Sequence, residues 1–267
     1  MRPGILTTVI LLASLPGAAY AQEHEFQILD NSFLVEEAFN QDKGIFQNIF
    51  SWTRDRSGGW EGSFTQEWPA PALTHQLSYT IPFAGGDGSP AHLGGVLLNY
   101  RYQALEEGPG RPAFSPRFSV ILPTGRAIDD SDRPGLQINL PFSKQVGDVY
   151  VHWNAGFTWL HGVVDGAGST TNLTSPAVAG SIVWNTRPYL NLMLESVLEL
   201  EDSVTGFQQT GRERVVTISP GVRGGWTLMG DRQVILGAAV PVTFSEDEHS
   251  TAVLGYFSYE LPFTSRR

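Results

Sequence analysis

The side chains able to do chemistry in this sequence are few and scattered. His152 and Asn154 stand two apart, and His75 precedes Ser78 by three. A serine hydrolase needs Ser, His and an orienting polar group within mutual reach. An odd spacing on a strand sends His75 and Ser78 to opposite faces, and no Gly-x-Ser-x-Gly elbow occurs. The sequence therefore reads as a non-enzyme. Without cysteine it can form neither disulfides nor thiolate metal centres. Asp129, Asp130 and Asp132, and Glu246, Asp247 and Glu248, offer the oxygen ligands that hard cations favour. They lack EF-hand spacing and read as solvated acidic loops, so no metal or cofactor is expected. Gly94-Gly95 and Gly224-Gly225 read as strand bends, since no helix follows either to make a phosphate cradle.

The remaining chemistry lies in charged and polar residues set within apolar stretches. Glu61, Glu67, Arg101, Arg117, His152, Asn154, Glu195, Glu199 and Arg223 are the candidates. Their placement depends on the elements that carry them. In 189–201, Leu190, Leu192, Leu194, Ser196, Leu198 and Leu200 alternate with Tyr189, Asn191, Met193, Glu195, Val197, Glu199 and Glu201. A two-residue period puts the two sets on opposite faces of a strand. In 149–159 the alternation sets Val149, Val151, Trp153, Ala155, Phe157 and Trp159 against Tyr150, His152, Asn154, Gly156 and Thr158. Comparable patterns over 44–54, 59–68, 74–83, 92–103, 114–123, 136–142, 177–187, 213–228, 234–244 and 250–263 complete twelve strands.

Several of these runs reach ten residues or more, where a globular strand averages about 5–6 and a tilted transmembrane strand needs about 9–11. Trp52, Trp60, Trp68, Tyr102, Trp159, Trp184, Tyr189, Trp226 and Phe263 fall near the ends of apolar faces, as in the interfacial girdles of outer-membrane barrels. A large periplasmic sandwich would also alternate. Strand length, aromatic placement and an export signal favour the barrel. That signal occupies residues 1–21: Arg2 precedes an apolar run over 5–15, and Ala19-Tyr20-Ala21 matches a small-x-small cleavage site. The expected organisation is a leader over 1–21, a lead-in or plug over 22–43, and a barrel over 44–267.

Charge, composition and loops agree with this. Net charge is −10, which offers nothing to neutralise a run of phosphates, so nucleic acid is not expected as a partner. Only 16% of residues are charged, against 29 glycines, 17 prolines and 30 aromatic residues, a mixture unlike a helical bundle. In the second half, long connections over 124–134, 161–176 and 202–212 alternate with short ones at 144–148, 186–188 and 230–232. Such asymmetry is expected of outside loops and periplasmic turns. Residues 30–41 stand apart: Asn31 or Ser32 could cap a short helix carrying Phe33, Leu34, Ala38 and Phe39. It would sit in the lumen as a plug or rest at the periplasmic mouth.

Three stretches resemble a known family. They are Asn31-Ser32-Phe33-Leu34-Val35-Glu36-Glu37-Ala38-Phe39-Asn40-Gln41, then Gln66-Glu67-Trp68-Pro69 with His75-Gln76-Leu77-Ser78-Tyr79-Thr80-Ile81-Pro82, and Pro116-Arg117-Phe118-Ser119-Val120-Ile121-Leu122-Pro123-Thr124-Gly125. Together they resemble the outer-membrane transporter-like family linked to the meta-pathway of phenol degradation. The resemblance covers the N-terminal half best. It implies a bacterial outer-membrane barrel that channels small compounds, often aromatic ones, and it carries over no catalytic residues. The expected partners are outer-membrane lipid, a small solute, and the barrel-assembly machinery, which would read the aromatic final strand Val253, Gly255, Phe257, Tyr259, Leu261 and Phe263. The alternatives are a closed binding or structural barrel working through its outer loops, and a lipid-modifying enzyme. Against the enzyme, His152 and Asn154 fall on the lumen face, away from lipid. A charge on the lipid face costs about 2–4 kcal/mol for Arg at the midplane, so the charged candidates should point inward.

Overall fold

Apolar and polar residues alternate through nearly the whole chain, so each strand has one face for an apolar surrounding and one for a wet or hydrogen-bonded interior. A computed structural model describes residues 28, 30–86, 88–125, 133–165, 167–207, 209–228, 232–246 and 249–263. Among them are fifteen antiparallel ladder segments and no helix. In chain order these are β1 (Ile45–Asp55), β2 (Trp60–Pro69), β3 (His75–Gly86), β4 (Ser89–Leu93), β5 (Leu97–Tyr102), β6 (Ala113–Phe114), β7 (Arg117–Ile121) and β8 (Gly135–Val146). They continue with β9 (Val149–Val164), β10 (Thr170–Arg187), β11 (Leu190–Gly206), β12 (Gln209–Leu228), β13 (Arg232–Ala239), β14 (Val242–Phe244) and β15 (His249–Pro262). Three staves are each interrupted once, so the fifteen segments make twelve staves. The breaks fall where the chain cannot keep the ladder: Gly94-Gly95 between β4 and β5, Pro116 between β6 and β7, and Pro241 between β13 and β14. Gly224-Gly225, by contrast, stays inside β12.

The twelve staves close into a barrel because β1 pairs along its whole length with β15, from Ile45↔Pro262 to Asp55↔Ala252. Closure removes both sheet edges, and it excludes the sandwich that the alternation also allowed. Both ends of the strand path, the start of β1 and the end of β15, lie at one end of the barrel, the terminal end. Phe263 N–H donates to Gly44 O at 2.8 Å there.

Side-chain faces follow the register. On β11, Leu190, Leu192 and Leu194 are 37–50% exposed, while Asn191, Met193 and Glu195 are 5% exposed or less. Val178, Ile182, Phe118, Leu236 and Phe257 continue the exposed apolar surface around the barrel. Aromatic clusters mark the terminal end of this belt. Phe46 meets Phe263 and Trp68 at centroid distances of 4.4 and 5.8 Å, and Phe142 stacks between Phe114 and Trp153. Trp184 and Trp226 stand exposed at the same level.

Two expectations need correction. Residues 161–176 and 202–212 are not long loops: β9 and β10 pair out to Thr170↔Val164, and β11 and β12 out to Gly206↔Gln209. The polar residues there are hairpin ends standing beyond the apolar belt, since strands of 16–20 residues exceed what a bilayer requires. The helix over 30–41 does not form either. Asn31 caps no helix: its Oδ1 accepts from Glu37 N–H, six residues on, at 3.1 Å. The backbone groups that a helix would pair internally are bonded instead by side chains of the wall. The leader over 1–21, Asp129, Asp130, Asp132, Asp247, Glu248 and residues 264–267 lie outside the described residues.

Candidate functional site: the barrel lumen

Extended backbone inside a barrel has no strand beside it, so its N–H and C=O groups must find other partners. Residues 30–42 find them on the inward faces of the staves. Arg223 on β12 donates to Asp30 O at 2.8 Å and Asn31 O at 2.6 Å, and to Asn191 Oδ1 at 2.8 Å. Asp30 accepts from Gln47 Nε2 and Tyr256 Oη, both at 2.8 Å. Beside them Ile28 packs on Ile235, Leu254 and Tyr256, with Phe33 and Leu34 against the same cluster. Glycines on β12 and β13 make that packing possible. A Cβ on Gly225 would come within 2.6 Å of Ile28 Cγ1, and one on Gly237 would overlap the Phe33 ring.

The segment turns at Leu34, whose N–H, like that of Val35, donates to Glu195 Oε1, at 2.8 and 3.2 Å. It then returns towards β1. Asn154 grips Glu36 both ways, accepting from its N–H and donating to its carbonyl, each at 2.8 Å. Ser143 accepts from Ala38 N–H and Ser115 donates to Ala38 O, both at 2.7 Å. Arg101 donates to Glu37 O, Phe39 O and Asn40 Oδ1. Gln76 Oε1 accepts from Gln41 N–H at 2.7 Å.

Arg117 binds the Glu36 carboxylate through Nε at 2.9 and 3.0 Å, and also reaches Asn99, Ser119 and Gln137. Burial works to raise the Glu36 carboxyl, which precedes the first strand. The charge and hydrogen bonds of Arg117, with Arg101 nearby, outweigh burial and hold it below its usual range.

The sequence candidates thus fall into distinct places. Arg101, Arg117, Asn154, Glu195 and Arg223 converge on residues 30–42. His152 is buried one ladder pair away, its Nδ1 2.7 Å from Ser143 Oγ. Glu67 is buried on the wall of an inner cavity, Glu61 is exposed at the far mouth, and Glu199 lines a neighbouring cavity with Asn154 that shares Leu34, Glu36, Arg117 and Gln137 with the inner one. His75 faces outward, with its Nδ1 2.6 Å from Tyr100 Oη, away from Ser78 on the lumen face. A reading confined to charged residues misses Gln47, Gln76, Ser115, Ser143 and Tyr256. Their signal is the same alternation, since each occupies an inward position of its stave.

Three cavities follow one another from the far mouth, where the outermost reaches β11, β12, β14 and β15, inward along β1–β3. The outermost, about 630 Å³, is lined by Asp55, Glu61 and His92 among others. It shares Thr53, Glu61, Ala84 and His92 with a second of about 340 Å³. The second shares Ser51, Ser63, Phe33 and Leu34 with an inner one of about 290 Å³. On the terminal side of the inner cavity, Arg101, Gln76 and residues 37–41 are bonded together. The arrangement can admit solute from the far end and hold it against a hydrogen-bonded floor.

No protein-family model and no curated protein matches the chain. Among solved structures, an outer membrane channel from Pseudomonas putida F1 superposes with a TM-score of 0.63 at 10% identity, covering 83% of this chain and 97% of that one. The NanC porin superposes with a TM-score of 0.51 at 8% identity, covering 80% of this chain and all of the other. At such identities the likeness is one of fold, and the chain has the barrel architecture of outer-membrane channels.

Proposed function

We propose that the protein is an outer-membrane channel for small solutes, delivered by the leader over 1–21 and folded through recognition of its aromatic final strand by the assembly machinery. The terminal end then faces the periplasm and the protruding hairpins face outside, as is usual for such barrels. The observation that carries this reading is the division of surfaces. An apolar belt with aromatic clusters suits lipid, while the polar inner faces surround cavities that begin at the far mouth. Residues 30–42 act as a plug that narrows the lumen. The resemblance to the phenol-pathway family suggests aromatic solutes, whereas the inner cavity sets hydroxyl and amide groups of β1, β2, β3 and β5 opposite Phe33 and Leu34.

Purified protein in a planar bilayer should carry small unitary currents, and deletion of residues 28–41 should enlarge them several-fold. A sealed bilayer with both proteins would overturn the channel reading. The bonded floor made by Arg101, Gln76 and residues 37–41 favours a second reading, a closed barrel working through its far-end hairpins. That reading predicts no current from the intact chain and clear current from the deletion.

A further inference from the structure

The wall of β1, β2, β3 and β5 carries hydroxyl and amide groups that anchoring of residues 30–42 leaves unused. Ser51 and Ser63 face each other with Oγ atoms 2.9 Å apart. One step nearer the terminal end, Thr65 and Thr80 face each other with Oγ1 atoms 2.9 Å apart. Asn99 Nδ2 then donates to Ser78 Oγ at 3.1 Å and to Thr80 Oγ1 at 3.2 Å. All six side chains project inward by the register and line the 290 Å³ cavity. Their side-chain hydrogen bonds run among themselves and to Arg117, not to the segment across the cavity.

A paired hydroxyl is both donor and acceptor. A solute hydroxyl inserted between two of them replaces one bond with two, and successive pairs along the wall can take successive solute hydroxyls. An apolar solute could contact Phe33, Leu34, Ile49 and Leu97 across the cavity, but it would displace water from the hydroxyl pairs without replacing those bonds. The charges at the cavity edge balance, with Glu67 and Glu36 set against Arg101 and Arg117. An anion or cation therefore gains no net attraction there to offset the loss of its hydration, a cost that a neutral solute does not bear. At about 30 Å³ per water the volume equals that of roughly ten waters, enough for a solute of monosaccharide size.

We propose that this chamber is a binding subsite for a small, uncharged polyhydroxylated solute, a sugar alcohol or monosaccharide. The inference rests on the channel reading and names its substrate class. The test is the current through the full-length mature protein in a planar bilayer with added sorbitol. Polyethylene glycol too large to enter, at matched viscosity, and benzyl alcohol serve as comparisons. Sorbitol should block the current saturably and benzyl alcohol should not. The double variant Thr65→Val/Thr80→Val should raise the half-blocking concentration about tenfold, and Thr65→Ser/Thr80→Ser should restore it. Current that sorbitol leaves at the polyethylene glycol level, or that benzyl alcohol blocks equally well, overturns the polyol assignment and leaves the channel reading intact. If no current flows, the channel reading fails, and equilibrium dialysis against radiolabelled sorbitol decides the subsite: retention supports it and none overturns it. If the valine variant does not fold, the comparison of sorbitol with benzyl alcohol on the unaltered chain still decides.

Discussion

Arg117 ties the wall to residues 30–42 through one guanidinium. It holds Glu36 of the segment while reaching Asn99, Ser119 and Gln137 on three staves. Because Arg117 holds the Glu36 carboxyl below its usual range, the ion pair contributes fully above about pH 4.3, the ordinary glutamate value. Its contribution is lost as pH falls through the lower folded value. Acidification below about pH 4 should therefore loosen the segment and raise unitary conductance. Glu36→Gln should show the raised conductance already at pH 7, with little further change on acidification. A pH series of single-channel recordings on both proteins checks this, and parallel pH responses would remove Glu36 from the explanation. At this scale the sequence is informative about direction but not about partner. Arg117 and Glu195 sit at inward positions by parity alone. That they grip Glu36, Leu34 and Val35, from 81 to 161 residues away, depends on closure of the barrel.

Single strands show most plainly how sequence dictates structure. β11 places its leucines outward and Asn191, Met193 and Glu195 inward, as a period of two requires. Leu194→Arg should destabilise the folded barrel by about 2–4 kcal/mol, as outward arginines do at the midplane. Reversible urea unfolding in lipid vesicles measures this, and no loss would place Leu194 outside the hydrocarbon. The hairpin ends behave differently. Beyond Val216 the outward face of β12 turns to Arg214 and Arg212, and Arg212 pairs with Asp202 at 2.7 Å. Arg212 is half exposed in this pair although Asp202 is largely covered, so solvent screens it and it adds little stability. Replacing residues 203–211 with an Asn-Gly turn should leave conductance and thermal stability unchanged, as read by single-channel recording and gel shift on heating. Such polar stretches read as loops because a strand leaving the membrane loses its apolar face. The ladder continues all the same, since its hydrogen bonds are between backbones.

For the molecule as a whole, β1–β15 pairing makes the barrel one cooperative unit without an edge. The protein should fractionate with outer membranes and migrate faster on a gel before heating than after. Recovery in the soluble periplasmic fraction would contradict the membrane reading. Alternation, strand number and the lipid-facing surface were legible in the sequence because they are local: each residue's face follows from its neighbours one and two places away. The course of residues 30–42 was not. Its apolar spacing and Asn31 suggested a helix, yet a helix satisfies its own backbone, whereas this segment lies among side chains that offer donors and acceptors at each step. The hydroxyl pairs of the inner chamber are similarly illegible, because Ser51 meets Ser63 and Thr65 meets Thr80 only through register. By itself, then, the sequence determined twelve strands, each with one apolar and one polar face, since strand period and parity act over two residues. Only the tertiary structure decided that β1 and β15 close them into a barrel and what fills its lumen, because both depend on contacts between residues far apart in the chain.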